Sequence, residues 1–166
     1  MPPPIQKTPL LQQAQDYWDR IRGNRPMPAR RDLDPAAIVP LLPHVVLMDV
    51  LRDGSPGAAW PIDFRYRLLG TLADANMSAR YTGRRMSELP HQRPPGELWT
   101  GLQWVAEHRV PRVNSVPYVG PHKDFMKVVD IMLPLSEDGE TVNMLFCVID
   151  FVPRDTRPAR STPGIP

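Results

Sequence analysis

The chain has 166 residues, a hydrophobic content of 42% and a net charge of +2, values that suit one domain with a buried core. Its single cysteine, Cys147, excludes an internal disulfide framework and a thiolate metal cluster within one chain, and we predict no metal site. No apolar run approaches the ~18 residues of a membrane-spanning helix, and the N-terminus lacks a signal-peptide core, so we expect a cytoplasmic protein without membrane contact.

An N-terminal helix is the first predicted element. Thr8 can cap it, Pro9 suits its first position, and Gly23 suits its end. Apolar residues recur along it at helical spacing, and this stripe must dock on a sheet or on a second copy of the chain. We predict a homodimer with an interface that includes Leu11, Tyr17 and Trp18.

Five arginines lie in or just after this helix and give the N-terminal region a positive charge. Nucleic-acid binding is one interpretation, but no basic stripe interleaved with exposed aromatic residues supports it. We favour a solvated helix face and treat a nucleic-acid partner as disfavoured. The arginines concerned are Arg20, Arg22, Arg25, Arg30 and Arg31.

The proline distribution divides the chain into four segments. Residues 1–7 and the Pro/Arg-rich tail 153–166 are predicted to be disordered, residues 8–43 form the N-terminal helix and a turn segment, and residues 44–152 form the core. Within the turn segment, Asp34 followed by Pro35 predicts a short helix over Pro35–Leu42.

The core reads as two strands, a group of short helical turns, one longer helix and three further strands. Short turns are predicted near residues 71–77 and 86–89, a loop at 52–57, and a hairpin turn over 136–140. This order indicates an antiparallel α+β fold, because a parallel fold would alternate strands and helices. The predicted strands are Val45–Leu51, Ile62–Leu69, Val113–Val119, Phe125–Leu135 and Val142–Val152, and the longer helix is Glu97–Arg109.

Several short motifs occur in a fixed order over about residues 10–152, and together with the element order they resemble the PAS domains of the bacterial single-domain PAS_5 family. The motifs are Tyr17-Trp18, Arg22-Gly23, Met27-Pro28-Ala29-Arg30, Asp34-Pro35, Leu42-Pro43, Tyr66-Arg67-Leu68, Gly70-Thr71, Thr82-Gly83, Leu133-Pro134-Leu135 and Asp138-Gly139.

The resemblance implies a five-stranded antiparallel sheet of order 2-1-5-4-3, with helices on one face and an N-terminal flanking helix. It also implies a sensory or protein-interaction module of bacterial signal transduction that acts through a protein partner and is not an enzyme. No ligand follows, because PAS domains bind haem, flavin, small metabolites or nothing.

Two cofactors are disfavoured by the residues present, so the cofactor is left unknown. The flavin photosensors of this superfamily carry a reactive cysteine in the short-helix region, and residues 83–89 contain none. Haem ligation would fall to His108 at the end of the long helix, where a histidine more simply meets the helix dipole. Cys147 lies in a predicted strand between apolar neighbours and is interpreted as a buried small hydrophobe.

A cavity for a small apolar ligand, if present, is predicted where the helices cover the sheet; a fully packed core is the alternative. Alternation in the second strand and apolar positions elsewhere predict its lining. The predicted lining residues are Phe64, Tyr66, Leu68, Met77, Leu102, Val105, Met144 and Phe146.

A small cavity enzyme of the cone-shaped α+β kind, as isomerases and dehydratases use, is the alternative function. It would need Asp130 or Asp49 to face an open pocket beside Tyr66 as a general base, and Arg30 or Arg67 could pair with Asp130. That fold opens with several long helices, whereas only one long helix precedes the first strand here.

Overall fold

The computed structural model describes residues 4–52, 60–118, 120–122 and 124–153. Predictions for residues 1–3, 53–57, Val119 and 154–166 lie outside the described residues. No helix in the described part of the chain has the length and apolar content needed to cross a bilayer. The helices are α1 (Pro9–Arg22), α2 (Thr71–Ala75) and α3 (Glu97–His108), and the strands are β1 (Val45–Leu51), β2 (Asp63–Leu69), β3 (Arg112–Pro117), β4 (Phe125–Leu135) and β5 (Met144–Pro153).

The five strands form one antiparallel sheet in the order β2-β1-β5-β4-β3, which confirms the predicted fold. The turn before β5 is built by Asp138, whose Oδ1 accepts from the backbone N–H groups of Glu140 at 2.9 Å and Thr141 at 2.7 Å. Gly139 sits there at φ +80°, a conformation that glycine adopts without strain. The turn runs to Asn143, so β5 begins two residues later than predicted.

Short 3₁₀ helices replace the predicted helix over Pro35–Leu42. One 3₁₀ helix spans Pro35–Ala37 and another spans Val39–His44. Pro40 and Pro43 lack the N–H donors that a continuous α-helix needs, so the segment breaks into short turns. Further 3₁₀ helices span Arg30–Asp32, Met86–Glu88 and Pro90–Gln92.

The two faces of the sheet are covered by different helices. We call the face that carries Val128, Asp130 and Met132 the inner face, and α3 packs on it. The opposite, outer face carries fully buried residues such as Ile131 and Leu133, and α1 contacts β4 and β5 there. Because both faces are buried, β4 and β5 are apolar at nearly every position rather than alternating.

The apolar stripe of α1 docks on the sheet of its own chain. Leu11 is fully buried, and Trp18 donates from Nε1 to the Pro134 carbonyl at 2.8 Å. The Tyr17 hydroxyl accepts from the Asp34 N–H at 2.8 Å. These three side chains are therefore covered within one chain, which corrects their assignment to an interface between copies. Homodimerisation itself stays a prediction.

Candidate functional site

A cavity of about 620 Å³ lies between the inner face of the sheet and the segments that cover it. Its floor comes from paired residues of β3, β4 and β5, which place Asn114 beside Asp130 and Asp130 beside Ile149. The facing wall comes from the turn after α2, from residues 91–95 and from the start of α3. The cavity therefore spans the β3 side of the sheet and leaves the β2 side as packed core.

One corner of the cavity is polar. The Arg112 Nε donates to the Asn114 Oδ1 at 3.0 Å, and the Arg112 guanidinium lies over the Trp104 ring, 5.2 Å from its centroid. The Asn114 Nδ2 donates to the Met132 Sδ at 3.3 Å, and Asn114 is the cross-strand neighbour of Asp130, which is only 7% exposed. Three polar side chains from adjacent strands thus face one ligand-sized space.

Burial sets the protonation of Asp130. Loss of solvent raises the pKa of this carboxyl to about 7, because it outweighs the opposing effects of the neighbouring Asn114 amide and the Arg112 charge. Asp130 therefore changes between a neutral hydrogen-bond donor and an anion close to physiological pH.

A second polar group lies on the facing wall. The Tyr81 hydroxyl is 3.0 Å from the His91 Nε2 and 2.9 Å from the Ser78 Oγ. Tyr81 also stacks on Tyr66, whose hydroxyl donates to the Gln92 Oε1 at 2.7 Å. Burial raises the pKa of Tyr66 above its usual range, so its phenol stays neutral and holds Gln92 at the cavity wall.

The family model described as PAS_5, a PAS domain, matches residues 6–149. The chain belongs to this PAS family. No curated protein and no solved structure matches it.

Most of the residues predicted to line the cavity of this PAS domain lie elsewhere in the structure. Met77 does line it. Phe64 and Tyr66 lie on the inner face, but they fill the core beside the cavity, where Phe64 packs edge-on against Trp99 with ring centroids 5.2 Å apart. Leu102 and Val105 of α3 are likewise buried in the core and do not line the cavity.

Met144 and Phe146 lie on the outer face. Their partners across the strands, Asp49, Leu47 and Leu133, belong to that face, whereas Cys147 and Ile149 point to the cavity side. The prediction assigned Met144 and Phe146 to the wrong face of the sheet. A strand buried on both sides has no alternation of polar and apolar residues from which its faces could be assigned.

Leu68 is 45% exposed and does not line the cavity. A bulge between Leu47 and Met48 pairs them with Leu68 and Tyr66, so Arg67 is the extra residue. A single extra residue exchanges the faces of the residues beyond it. Leu69 therefore takes the inward position that alternation gave to Leu68.

Asp49 and Asp130, the two carboxylates considered as a general base, lie on different faces of the sheet. Asp49 lies on the outer face and is paired with Arg65 at 3.0 Å and with Arg67 at 3.8 Å. Asp130 does face the cavity, and the cation that acts on it is Arg112, so neither Arg30 nor Arg67 is its partner.

His108 and Cys147, the two residues considered for cofactor chemistry, do not line the cavity. His108 stacks on Trp104 with ring centroids 4.2 Å apart and does not line the cavity. Cys147 is buried on the inner face, and burial together with the nearby Asp130 raises the pKa of its thiol well above the usual range. A buried thiol of this kind stays protonated and unreactive.

Arg112, Asn114, Tyr81 and His91 were not predicted as site residues. A usable signal exists for the first two, because Arg112 and Asn114 are polar residues two positions apart in the sequence and so lie on the same face of a strand. Tyr81 and His91 come from irregular segments, where no periodicity indicates which side chains turn inward.

Proposed function

We propose that this PAS domain is a non-catalytic sensory and interaction module of bacterial signal transduction, located in the cytoplasm, in which a small ligand controls contact with a protein partner. The observation that carries the proposal is the cavity of about 620 Å³ with one polar corner at Arg112, Asn114 and Asp130. Mostly apolar cavities with a few convergent polar groups are the usual form of small-molecule sites.

Exposed apolar side chains support a partner surface at the β2 edge. Val39, Leu68 and Leu72 are 60%, 45% and 37% exposed. Their elements touch, since α2 contacts the 3₁₀ helix Val39–His44 and Gly70 lies against Leu42 and Pro43. We propose this surface, in place of the α1 stripe, as the contact with a second copy or another protein.

Three of the five arginines of the N-terminal region are already paired with carboxylates, which argues against nucleic-acid binding. Arg22 pairs with Asp19 at 3.2 Å, and Arg25 pairs with Asp32 at 2.9 Å. Arg31 contacts Glu137 at 2.7 Å. Paired arginines release fewer counterions on binding phosphates than free ones do, so we propose a protein partner rather than DNA or RNA.

Native mass spectrometry and an absorption spectrum of the purified protein test ligand binding. We expect a bound small molecule, or a small molecule whose addition raises the melting temperature, in the wild type. Met77→Trp, which narrows the cavity, should lose this binding, while Leu72→Trp, the same bulk at an exposed position nearby, should keep it. Wild-type protein that carries and binds nothing would contradict the proposal.

A cavity enzyme remains the second candidate, and the Asp130 carboxyl favours it. A group in a cavity with a pKa of about 7 has the properties of a general acid–base catalyst. The fate of the ligand distinguishes the two functions. A ligand recovered unchanged after long incubation supports the module, whereas conversion that is lost in Asp130→Asn supports the enzyme.

A further inference from the structure

We propose that the cavity takes a monoanionic organic acid, with its carboxylate at the corner formed by Arg112, Asn114 and Asp130 and its apolar body along the sheet. This inference rests on the proposed function, because it names the ligand class of the same cavity. It depends on the free hydrogen-bonding capacity and the charge of that corner.

Arg112 carries the first part of the argument. Its guanidinium is held in place by the Asn114 Oδ1 and by the face of Trp104. In the described part of the chain, its terminal nitrogens donate no hydrogen bond and no carboxylate oxygen lies within 4.0 Å of them. A fixed guanidinium at a cavity wall can bind a ligand carboxylate through two parallel hydrogen bonds.

The neighbouring groups favour an anion rather than a cation. Asp130 is buried, no cation of the described residues lies within salt-bridge distance of it, and burial keeps it neutral through the acidic range, so it can donate its O–H. Glu97, the other carboxylate among the described lining residues, is exposed to solvent at the start of α3, where its charge is screened. An ammonium ligand would instead meet the like charge of Arg112.

The rest of the lining fits an apolar body. The floor beyond the polar corner is formed by paired apolar residues of the inner face, such as Val128 and Phe151. Met77 and Leu98 face them from the covering segments. The volume of about 620 Å³ exceeds what a two-carbon or three-carbon acid would fill, so the acid should carry an aromatic or medium-chain group.

The test compares two acids with their primary amides, which have the same shape without the charge. Calorimetric titration of the full chain at pH 6.5 would use 4-phenylbutanoate against 4-phenylbutanamide and decanoate against decanamide. We expect at least one acid to bind at least about tenfold more tightly than its amide, a difference of about 1.4 kcal/mol.

Two variants locate the effect. Arg112→Gln should remove the preference for the acid, and Arg112→Lys should restore part of it, since a lysine keeps the charge without the fork. Arg20→Gln is the matched control, because Arg20 also lies over an aromatic ring, 5.3 Å from the Tyr17 centroid, but in α1. Its acid preference should equal that of the wild type.

The outcomes separate the two proposals. Amides that bind as tightly as their acids would overturn the organic-acid inference and leave the ligand-binding function standing. A preference for the acid that survives in Arg112→Gln would overturn the assigned corner. Failure of all four probes, together with wild-type protein that carries no small molecule, would overturn both proposals.

Discussion

At the scale of single residues, Asp130 is the residue of this PAS domain whose acid–base chemistry matters most for the proposed site. Its carboxyl faces the cavity and is only 7% exposed, and the groups that act on it are Asn114 and Arg112 of β3. The pKa rises from 3.8 to about 7, so the folded state holds a proton that the unfolded chain releases between these values. Folding is therefore opposed by this residue at neutral pH.

We predict that Asp130→Asn flattens the dependence of stability on pH. The free energy of unfolding of the wild type contains a contribution from Asp130 that is fully present below about pH 4 and is lost as the pH rises to about 7, in total on the order of 4 kcal/mol. An asparagine has no such contribution. Urea unfolding of both proteins from pH 4.5 to 8 measures the difference.

The variant should gain relative stability as the pH rises and level off above pH 7. Curves for the two proteins that run parallel over this range would show that Asp130 is ionised in the folded state and would contradict the prediction. The wild type and the variant are compared at the same pH. Other carboxylates, such as Asp138 with its pKa lowered to about 2, contribute equally to both proteins and cancel in the difference between their free energies of unfolding.

The residues of the polar corner show why the site was hard to predict from sequence. Arg112 and Asn114 are close in sequence, but Asp130 lies on the next strand, and only the register of β3 against β4 brings it beside them. Register depends on hairpin geometry and packing, which the composition of either strand does not reveal. The sequence shows that these residues are polar, but it does not show that they lie together in the fold.

At the scale of secondary-structure elements, close backbone approach explains one motif of the family. Gly70 donates its N–H to the Val45 carbonyl at 2.7 Å and precedes α2. A Cβ atom at this position would collide with the Leu42 carbonyl and lie 2.6 Å from the Pro43 carbonyl. Since these neighbours are backbone atoms, they cannot rotate away.

We predict that Gly70→Ala lowers the free energy of unfolding by about 3 kcal/mol or more, the upper part of the range for overpacking. Thr71→Ala, the adjacent exposed position, should change it by less than about 0.5 kcal/mol. Urea unfolding followed by far-ultraviolet circular dichroism measures both. Similar stability of the two variants would contradict the close approach of Gly70 to the 3₁₀ helix Val39–His44.

Docking of α1 depends on one buried hydrogen bond as well as on apolar packing. Trp18→Phe keeps an aromatic ring but leaves the Pro134 carbonyl without its donor, and we predict a loss of about 1–3 kcal/mol of stability. Trp60→Phe is the control, since Trp60 is partly exposed and packs on Trp99 at 5.3 Å. Thermal and urea unfolding should show the larger loss for Trp18→Phe; equal losses would contradict the role of the bond.

The elements with strong local signals were predictable and those set by long-range packing were not. Thr8 and Pro9 fixed the start of α1, and the Asp138-Gly139 turn fixed the last hairpin. The bulge at Arg67 and the parity of β5 depend on neighbouring strands, so alternation within one strand misplaced Leu68, Met144 and Phe146.

At the scale of the whole molecule, the motifs that carry the family resemblance lie mostly away from the cavity. Trp18 reaches Pro134, and the Pro28 carbonyl accepts from the Ser136 N–H at 2.9 Å, so three motifs meet where α1 and its following turn dock on the β4–β5 hairpin. The fold was therefore predictable from these motifs, whereas the docking of α1 on the sheet of its own chain and the ligand chemistry were not.

Oligomerisation is predicted to use the β2 edge. If the protein is a dimer by native mass spectrometry, Leu68→Asp with Leu72→Asp should convert it to a monomer, because charges in an apolar contact are left unpaired. Val110→Asp is the control at an exposed apolar residue, 46% exposed, outside this edge. A dimer that survives the double substitution would place the contact elsewhere, and a monomeric wild type would contradict the homodimer.

The position of Ile5 has a practical consequence for all of these measurements. This residue lines the cavity and is 45% exposed, so the segment before α1 passes the cavity opening. A purification tag joined to Met1 would be separated from Ile5 by only four residues, so we expect it to interfere with ligand entry. Binding data should therefore come from protein with the tag at the C-terminus or removed.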